Sequence, residues 1–131
     1  MDKIYEDLYK TACEQRKFSY SPYSGFAVGA ALLCESGEIF CGVNIENSSF
    51  SLTNCAERTA IFKAVSQGEK KFTAIAIAGG KGDDISQPCY PCGACRQVMS
   101  EFCNKDFKII LSDRIYTLGE LLPYGFELGE K

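Results

Sequence analysis

Three cysteines restrict this chain more than any other group of residues. Cys92 and Cys95 form a Cys-x-x-Cys pair directly after Pro91, at the start of one predicted helix, and Cys55 opens a different predicted helix far earlier. A fold in which these thiolates converge can hold a metal with three protein ligands and leave the fourth position to water, as catalytic zinc requires; a closed structural site takes four. Ligand number therefore separates a reactive centre from a structural one. The chain has eight cysteines and no histidine, which excludes Ser-His-Asp and Cys-His mechanisms. Thiolates favour zinc or iron–sulfur clusters over magnesium or calcium. General acid–base work falls to a carboxylate, Lys, Tyr or Cys.

The other cysteines divide clearly. Cys34 and Cys41 sit in apolar strand runs, and Cys13 and Cys103 lie late in predicted helices, so all four read as small core residues. Cys89 is the competitor. Cys89-x-x-Cys92 can also ligate metal or form a redox disulfide, and a fourth sulfur from Cys89 would turn the centre into a structural zinc module. Against this, Cys89 precedes Pro91 and lies outside the helix, whereas Cys92 and Cys95 fall at its start, where peptide dipoles favour thiolate. A thioredoxin-like redox pair leaves the Cys55-Ala56-Glu57 unit without a role.

Three thiolates around Zn²⁺ leave one negative charge in excess, and Arg58 is the expected compensator. A cation near a helix N-terminus is disfavoured by the dipole unless anions lie beside it. The alternatives are an ordinary surface role for Arg58 and a share of the task for Arg96. Glu57 follows Cys55 by two residues, an offset of about 200° around a helix, so it need not ligate the same ion and can serve as the base beside it. The competing reading makes Asn54 an N-cap and Glu57 the N3 member of a capping box.

Asp2 to Gln15 is expected to form an amphipathic helix with Ile4, Leu8 and Ala12 on one face. Ser19 to Gly25 is a loop. Phe26–Cys34 and Glu38–Val43 read as strands of an antiparallel hairpin turning through Glu35, Ser36 and Gly37. Asn44 to Asn54 is polar and irregular. A helix runs from Cys55 to about Gln67, with Ala56, Ala60 and Ala64 as a flat packing face, and Gly68 ends it. Phe72–Ala78 reads as a strand buried on both faces, Gly79 to Tyr90 as a loop, and Pro91 as the first turn of a helix reaching about Cys103. Phe107–Leu111 adds a strand and Leu118–Leu122 a last short helix. This order suggests a mixed sheet with helices on both faces, in one domain over residues 1–131 with no internal boundary.

The net charge of −3 argues against binding a long polyanion, which needs clustered Lys and Arg. The polar start from Met1 to Asp7 is unlike a signal peptide, and no apolar run reaches the ~18 residues of a membrane span. The expectation is a cytoplasmic protein without a membrane or nucleic-acid polymer as partner.

Cys55-Ala56-Glu57, followed by Pro91-Cys92-Gly93-Ala94-Cys95, resembles the signature of the cytidine deaminases. The likeness continues through Phe26-Ala27-Val28-Gly29-Ala30-Ala31, Gly42-Val43-Asn44-Ile45-Glu46-Asn47, Cys55-Ala56-Glu57-Arg58-Thr59-Ala60, Cys95-Arg96-Gln97-Val98 and Leu121-Leu122-Pro123, segments of the small homotetrameric branch. The resemblance implies a three-layer α/β/α fold with a mixed, roughly five-stranded sheet. It implies one zinc per subunit on Cys55, Cys92 and Cys95, and hydrolytic deamination of cytidine and deoxycytidine by zinc-activated water at C4. Glu57 would carry the proton to N3 and then to departing ammonia. Asn44 and Glu46 match the positions that hold the ribose hydroxyls, and Phe26 and Ala56 match other substrate contacts. Phe50 and Phe126 match aromatics that close a neighbouring subunit's pocket in a homotetramer. The chain departs from the pattern at Phe50, where many relatives have tyrosine, at Tyr90, where a small residue is common, and at Cys89. The rival readings are a deaminase of another cytosine compound such as blasticidin S, and a polynucleotide editor, for which the chain lacks basic excess, extra loops and histidine.

Overall fold

The fold is given by a computed structural model, which describes residues 2–126 and 128–129. Strands β1 (Phe26–Cys34), β2 (Ile39–Val43), β3 (Phe72–Lys81), β4 (Lys108–Ile110) and β5 (Ile115–Thr117) form one sheet in the order β2-β1-β3-β4-β5. β3 and β4 are parallel and the other pairs antiparallel. A parallel pair needs a crossover, and here it carries Cys92 and Cys95. Helix α1 (Lys3–Gln15) covers one face; α2 (Ala56–Ser66), α3 (Gly93–Phe102) and α4 (Leu118–Leu121) cover the other. The expected three-layer architecture with a mixed, five-stranded sheet is thus what the chain forms.

Alternation along β1 builds both layers. Val28, Ala30, Leu32 and Cys34 face α2 and α3, with Ala56, Ala60, Ala64 and Met99 opposite them. Ala31 and Leu33 face Leu8 and Ala12 of α1. The flat alanine face expected of α2 is fully buried. The stripe of α1 is rotated from the expected one: Ile4 is exposed, and Tyr5, Leu8, Tyr9, Ala12 and Cys13 pack on the sheet. This set has i, i+3, i+4 spacing, a better match to 3.6 residues per turn than steps of four.

Three boundaries differ from expectation. β3 continues through Gly79, Gly80 and Lys81 because these residues pair with Val28, Ala27 and Phe26 of β1. β5 is too short for its alternation to show in the sequence. The short helix expected over Leu118–Leu122 forms as α4, Leu118–Leu121, started by a capping box of Thr117 and Glu120. Pro91 lies outside α3, because Cys92, with extended backbone at φ −67° and ψ 169°, is the N-cap. No helix among the described residues is long and apolar enough to cross a membrane.

Two glycines set how closely the helices approach. A Cβ on Gly29 would stand 2.1 Å from the Ala12 carbonyl oxygen of α1. On Gly42 of β2 it would stand 2.4 Å from the Ala56 carbonyl oxygen and 2.5 Å from the Ala60 nitrogen. The second contact seats the start of α2, and with it Cys55 and Glu57, on the sheet. Gly42→Ala should therefore lower unfolding stability by about 1–3 kcal/mol, read as a lower midpoint in urea; an unchanged midpoint would show that α2 does not depend on this close approach.

Candidate metal centre and active site

Two helix N-termini meet at one point. Cys55 is the N-cap of α2 and Cys92 the N-cap of α3, and neither end has a side-chain capping bond. The unpaired N–H groups there carry partial positive charge, which favours thiolates. Cys95 is at N3 of α3, one turn from the N-cap, and this explains the Cys-x-x-Cys spacing. The Cys55 and Cys92 Sγ atoms are 3.8 Å apart, those of Cys92 and Cys95 are 3.5 Å apart, and all three ligand atoms lie within 4.8 Å of one another. In tetrahedral zinc–thiolate coordination, with bonds of about 2.3 Å, sulfurs stand roughly 3.8 Å apart. The donor set and spacing fit zinc. They leave one coordination position open among the described residues.

One cation touches the cluster. Arg58 donates from Nη2 to Cys55 Sγ at 3.3 Å. Hydrogen bonding from Cys95 pulls the Cys55 thiol down to about 5, with Arg58 adding to the effect against burial. Cys95 moves upward, because its hydrogen bond to Cys55 and its burial hold its proton. Zinc held by Cys55, Cys92 and Cys95 would displace that shared proton, since a coordinating thiol must be deprotonated. Arg58 is half-buried and its Nε is buried without a hydrogen-bond partner. Arg96 does something else: Nε donates to the Pro91 carbonyl at 2.8 Å and Nη1 to that of Leu121 at 2.7 Å.

Among the described residues the buried polar or charged side chains are Asn44 and Glu57, 9% and 4% exposed. Such burial is costly unless the group has a task or a partner. Because Cys55 is the N-cap, Glu57 falls at N2, and Asn54 instead donates from Nδ2 to Thr59 Oγ1 at 3.0 Å; the capping-box alternative does not form. Burial pushes the Glu57 carboxyl up to about 7, opposed by a backbone hydrogen bond and by Cys95, whose thiol hydrogen-bonds it. A carboxyl balanced near neutrality beside the cluster is suited to accept and return a proton.

Asn44 is mostly occupied with structure. Its Oδ1 accepts from Val28 N–H at 2.9 Å and from Ser19 Oγ at 2.5 Å, and its Nδ2 donates to the Phe26 carbonyl at 2.8 Å. One N–H of its four hydrogen-bonding positions is left for a ligand. Glu46 accepts from the N–H groups of Tyr23 and Ser24 at 3.0 and 3.2 Å and from the Ser24 hydroxyl, and these bonds lower its pKa. It is half-buried and stays ionised, beside Phe50 and Tyr23. Neither Ser19 nor the Tyr23–Ser24 pair is marked by any sequence motif; both lie in the segment legible only as a loop.

Phe26 is partly exposed, with its ring next to Gly79 and Cys89. Cys89 is not part of the sulfur cluster. Its Sγ packs where a Gly79 side chain would be, at 2.7 Å from that ideal Cβ, and burial pushes its thiol up to about 12. Ala56 is fully buried, so it can offer a ligand only its N–H at the first position of α2. Phe50 is exposed and packs edge-on against Tyr23. Phe126 lines a groove with Ser100, Cys103, Lys105, Leu118 and Leu122.

Fold and site together define an α/β/α protein built around a three-thiolate zinc centre with a buried carboxylate beside it. The family model for the cytidine and deoxycytidylate deaminase zinc-binding region matches residues 2–111. A cytidine deaminase from Halalkalibacterium halodurans is 49% identical over 124 residues, 91% of each chain. The crystal structure of cytidine deaminase from Mycobacterium tuberculosis superposes with a TM-score of 0.86 at 37% identity, covering 97% of this chain and 100% of that one. A blasticidin-S deaminase from Bacillus cereus is 36% identical over 103 residues, 73% of this chain and 74% of its own. The chain belongs to the cytidine and deoxycytidylate deaminase family, and its cofactor is zinc.

Cys92→Ala should purify with well under one zinc per chain, and Cys89→Ala should retain the full complement, measured by atomic absorption. Loss of zinc from Cys89→Ala equal to that from Cys92→Ala would mean that the ligand set is different.

Proposed function

We propose that this protein deaminates cytidine and deoxycytidine hydrolytically to uridine and deoxyuridine, as a pyrimidine-salvage enzyme of the cytoplasm. The observation that carries this reading is Glu57, a buried carboxylate placed against a three-thiolate cluster in a chain that matches cytidine deaminases over most of its length. Cys55, Cys92 and Cys95 hold the zinc, which when bound supplies the Lewis acidity that makes water nucleophilic near neutral pH.

The chain's own residues do the rest. Glu57 accepts a proton from the attacking water and delivers it to N3 of the base, then carries a second to the departing amino group. Nitrogen leaves as ammonia, and the oxygen of water stays on C4. Burial of Glu57 keeps bulk water from competing for that proton. Arg58 holds the Cys55 thiolate in place. Phe26 forms a wall of the base pocket, and Ala56 offers it a backbone N–H. Glu46, acceptor only, and the remaining N–H of Asn44 can satisfy a ribose hydroxyl, and of the 2′,3′-diol the 3′-hydroxyl is the one that deoxycytidine keeps.

A nucleoside is favoured over blasticidin S by this pair of polar groups and by the higher identity to a cytidine deaminase. A structural zinc module is disfavoured by the three-sulfur count and by the packing of Cys89 away from the cluster. Ammonia release should be seen with cytidine and deoxycytidine and be much slower with cytosine and blasticidin S. Glu57→Gln should lower kcat roughly 10²–10⁴-fold while zinc content is unchanged; retained turnover would mean that another group moves the proton.

The whole chain is proposed to act as one catalytic domain, and four copies as a homotetramer with active sites at subunit interfaces. Support comes from large apolar side chains left exposed in the single chain, among them Phe50 at 73%, Leu52 at 68% and Phe126 at 67%. Phe50 lies beside Glu46 and is placed to border a site. Phe126 contributes nothing to its own chain's cluster and is free to reach a neighbour. Sedimentation should give about four times the monomer mass; a stable monomer with full activity would sink this arrangement.

A further inference from the structure

The segment that delivers Cys92 to the cluster is held by side chains and not by main-chain pairing. From Ile85 to Cys92, among the described residues, the main chain makes no hydrogen bond to another main-chain segment except where the Cys92 carbonyl accepts from Arg96 at the start of α3. Pro88 and Pro91 have no N–H to donate. Ser86 bonds only to nearby Asp84. What ties the segment to the rest of the protein is side chains: buried Pro91, Cys89 against the core, the Cys92 sulfur on those of Cys55 and Cys95, Arg96 on the Pro91 carbonyl, and Tyr90.

Tyr90 is directly before Pro91-Cys92. Its hydroxyl is 3.2 Å from that of Tyr116 on β5, and the rings meet edge-on with centroids 5.6 Å apart. Tyr116 donates to Asp113 Oδ2 at 2.7 Å. Its proton is thereby committed, so its oxygen accepts and Tyr90 is the donor. The receiving end is well fixed. Asp113 Oδ1 accepts the Arg114 N–H at 2.9 Å, the Arg114 guanidinium stacks 3.8 Å from the Tyr116 ring centroid, and Arg114 pairs with Glu120 of the α4 capping box at 3.3 Å. Tyr116 is buried and Tyr90 is half exposed. The direction of anchoring runs from the hairpin to the loop, because the hairpin has its own ladder and stacking without Tyr90.

We propose that Tyr90 and Tyr116 form a brace that positions the zinc-bearing loop, with the Tyr90→Tyr116→Asp113 hydrogen-bond chain holding Cys92 over the N-terminus of α3. Tyr90 is a positioning residue in this role: it acts through Pro91 and Cys92 and touches neither metal nor substrate. The inference rests on the zinc reading of the cluster. A neutral hydrogen bond of this kind is worth a few-fold in an equilibrium or rate, and here the strain of its loss falls on a metal ligand.

The test is the rate at which the zinc-loaded protein yields its metal to excess chromophoric chelator, for wild type, Tyr90→Phe, Tyr116→Phe and the double variant. Each single substitution keeps the ring and should speed release about fivefold, and the double should release no faster than either single, since all three lose the same link. The thermal midpoint of the metal-free protein should be nearly the same for wild type and Tyr90→Phe, and Tyr116→Phe and the double, which also lose the bond to Asp113, should share one lower midpoint. Release at the wild-type rate from the single variants, or effects that multiply in the double, would overturn the brace. Faster release from Tyr90→Phe accompanied by an equal loss of stability in the metal-free Tyr90→Phe protein would also overturn it, by making the pair a general packing contact. Wild-type protein that purifies without zinc would instead sink the metal reading, and the brace with it.

Discussion

Mutual repulsion among three thiolates held within 4.8 Å of one another is the constraint that the rest of the site answers. Two of the sulfurs belong to N-caps, where peptide dipoles point their positive ends at them. Arg58 adds a full positive charge against Cys55, and the dication neutralises most of what remains. Without that set of compensations, each cysteine would keep its proton and behave as the other cysteines of this chain do: Cys34, Cys89 and Cys103 are buried or half-buried thiols whose surroundings push them upward.

The sheet supplies the geometry that makes this possible. β1, β2 and β3 form an antiparallel platform, and Gly42 lets α2 lie against it closely enough for backbone atoms to touch where a methyl group would not fit. The parallel step from β3 to β4 forces a crossover across the same face, and the crossover delivers α3 with its N-terminus beside that of α2. The metal cluster lies at the junction, and the buried carboxylate of Glu57 is one helical step inside it. Around this centre, Phe26 stands at the start of β1, whereas Asn44 and Glu46, the polar groups proposed to meet a ligand, come from the irregular segment just past β2. Their positions are set by side-chain hydrogen bonds in place of a ladder, as Asn44 shows by using three of its four hydrogen-bonding positions on Phe26, Val28 and Ser19.

Residue type and spacing were enough to identify the chemistry. With no histidine, eight cysteines and a Cys-x-x-Cys pair after proline, the chain pointed to thiolates for its metal, and it left proton transfer to a carboxylate, Lys, Tyr or Cys, with Glu57 beside Cys55 as the candidate. Long elements were equally legible: β1 has the bounds its apolar run implies, and the alanine face of α2 is the one that packs. Short or tertiary-dependent elements were not. β5 has too few residues to show a period, and β3 outlasts its apolar run because pairing with β1 outweighs the weak strand preference of Gly79 and Gly80.

What the sequence determined by itself, then, is the inventory: which atoms can bind zinc, which can move a proton, and which stretches are regular. Tertiary structure alone decided which candidates act together. It set Cys89 against Gly79 and out of the sulfur cluster, gave Arg58 to the thiolates and Arg96 to the loop carbonyls, and made Asn44 a buried organiser with one donor left. It also joined Tyr90 to Tyr116 and Asp113, residues with no motif between them. The physical reason is that spacing along a chain fixes neighbours only within a helix turn or a strand pair, whereas these contacts depend on how the crossover folds back over the sheet.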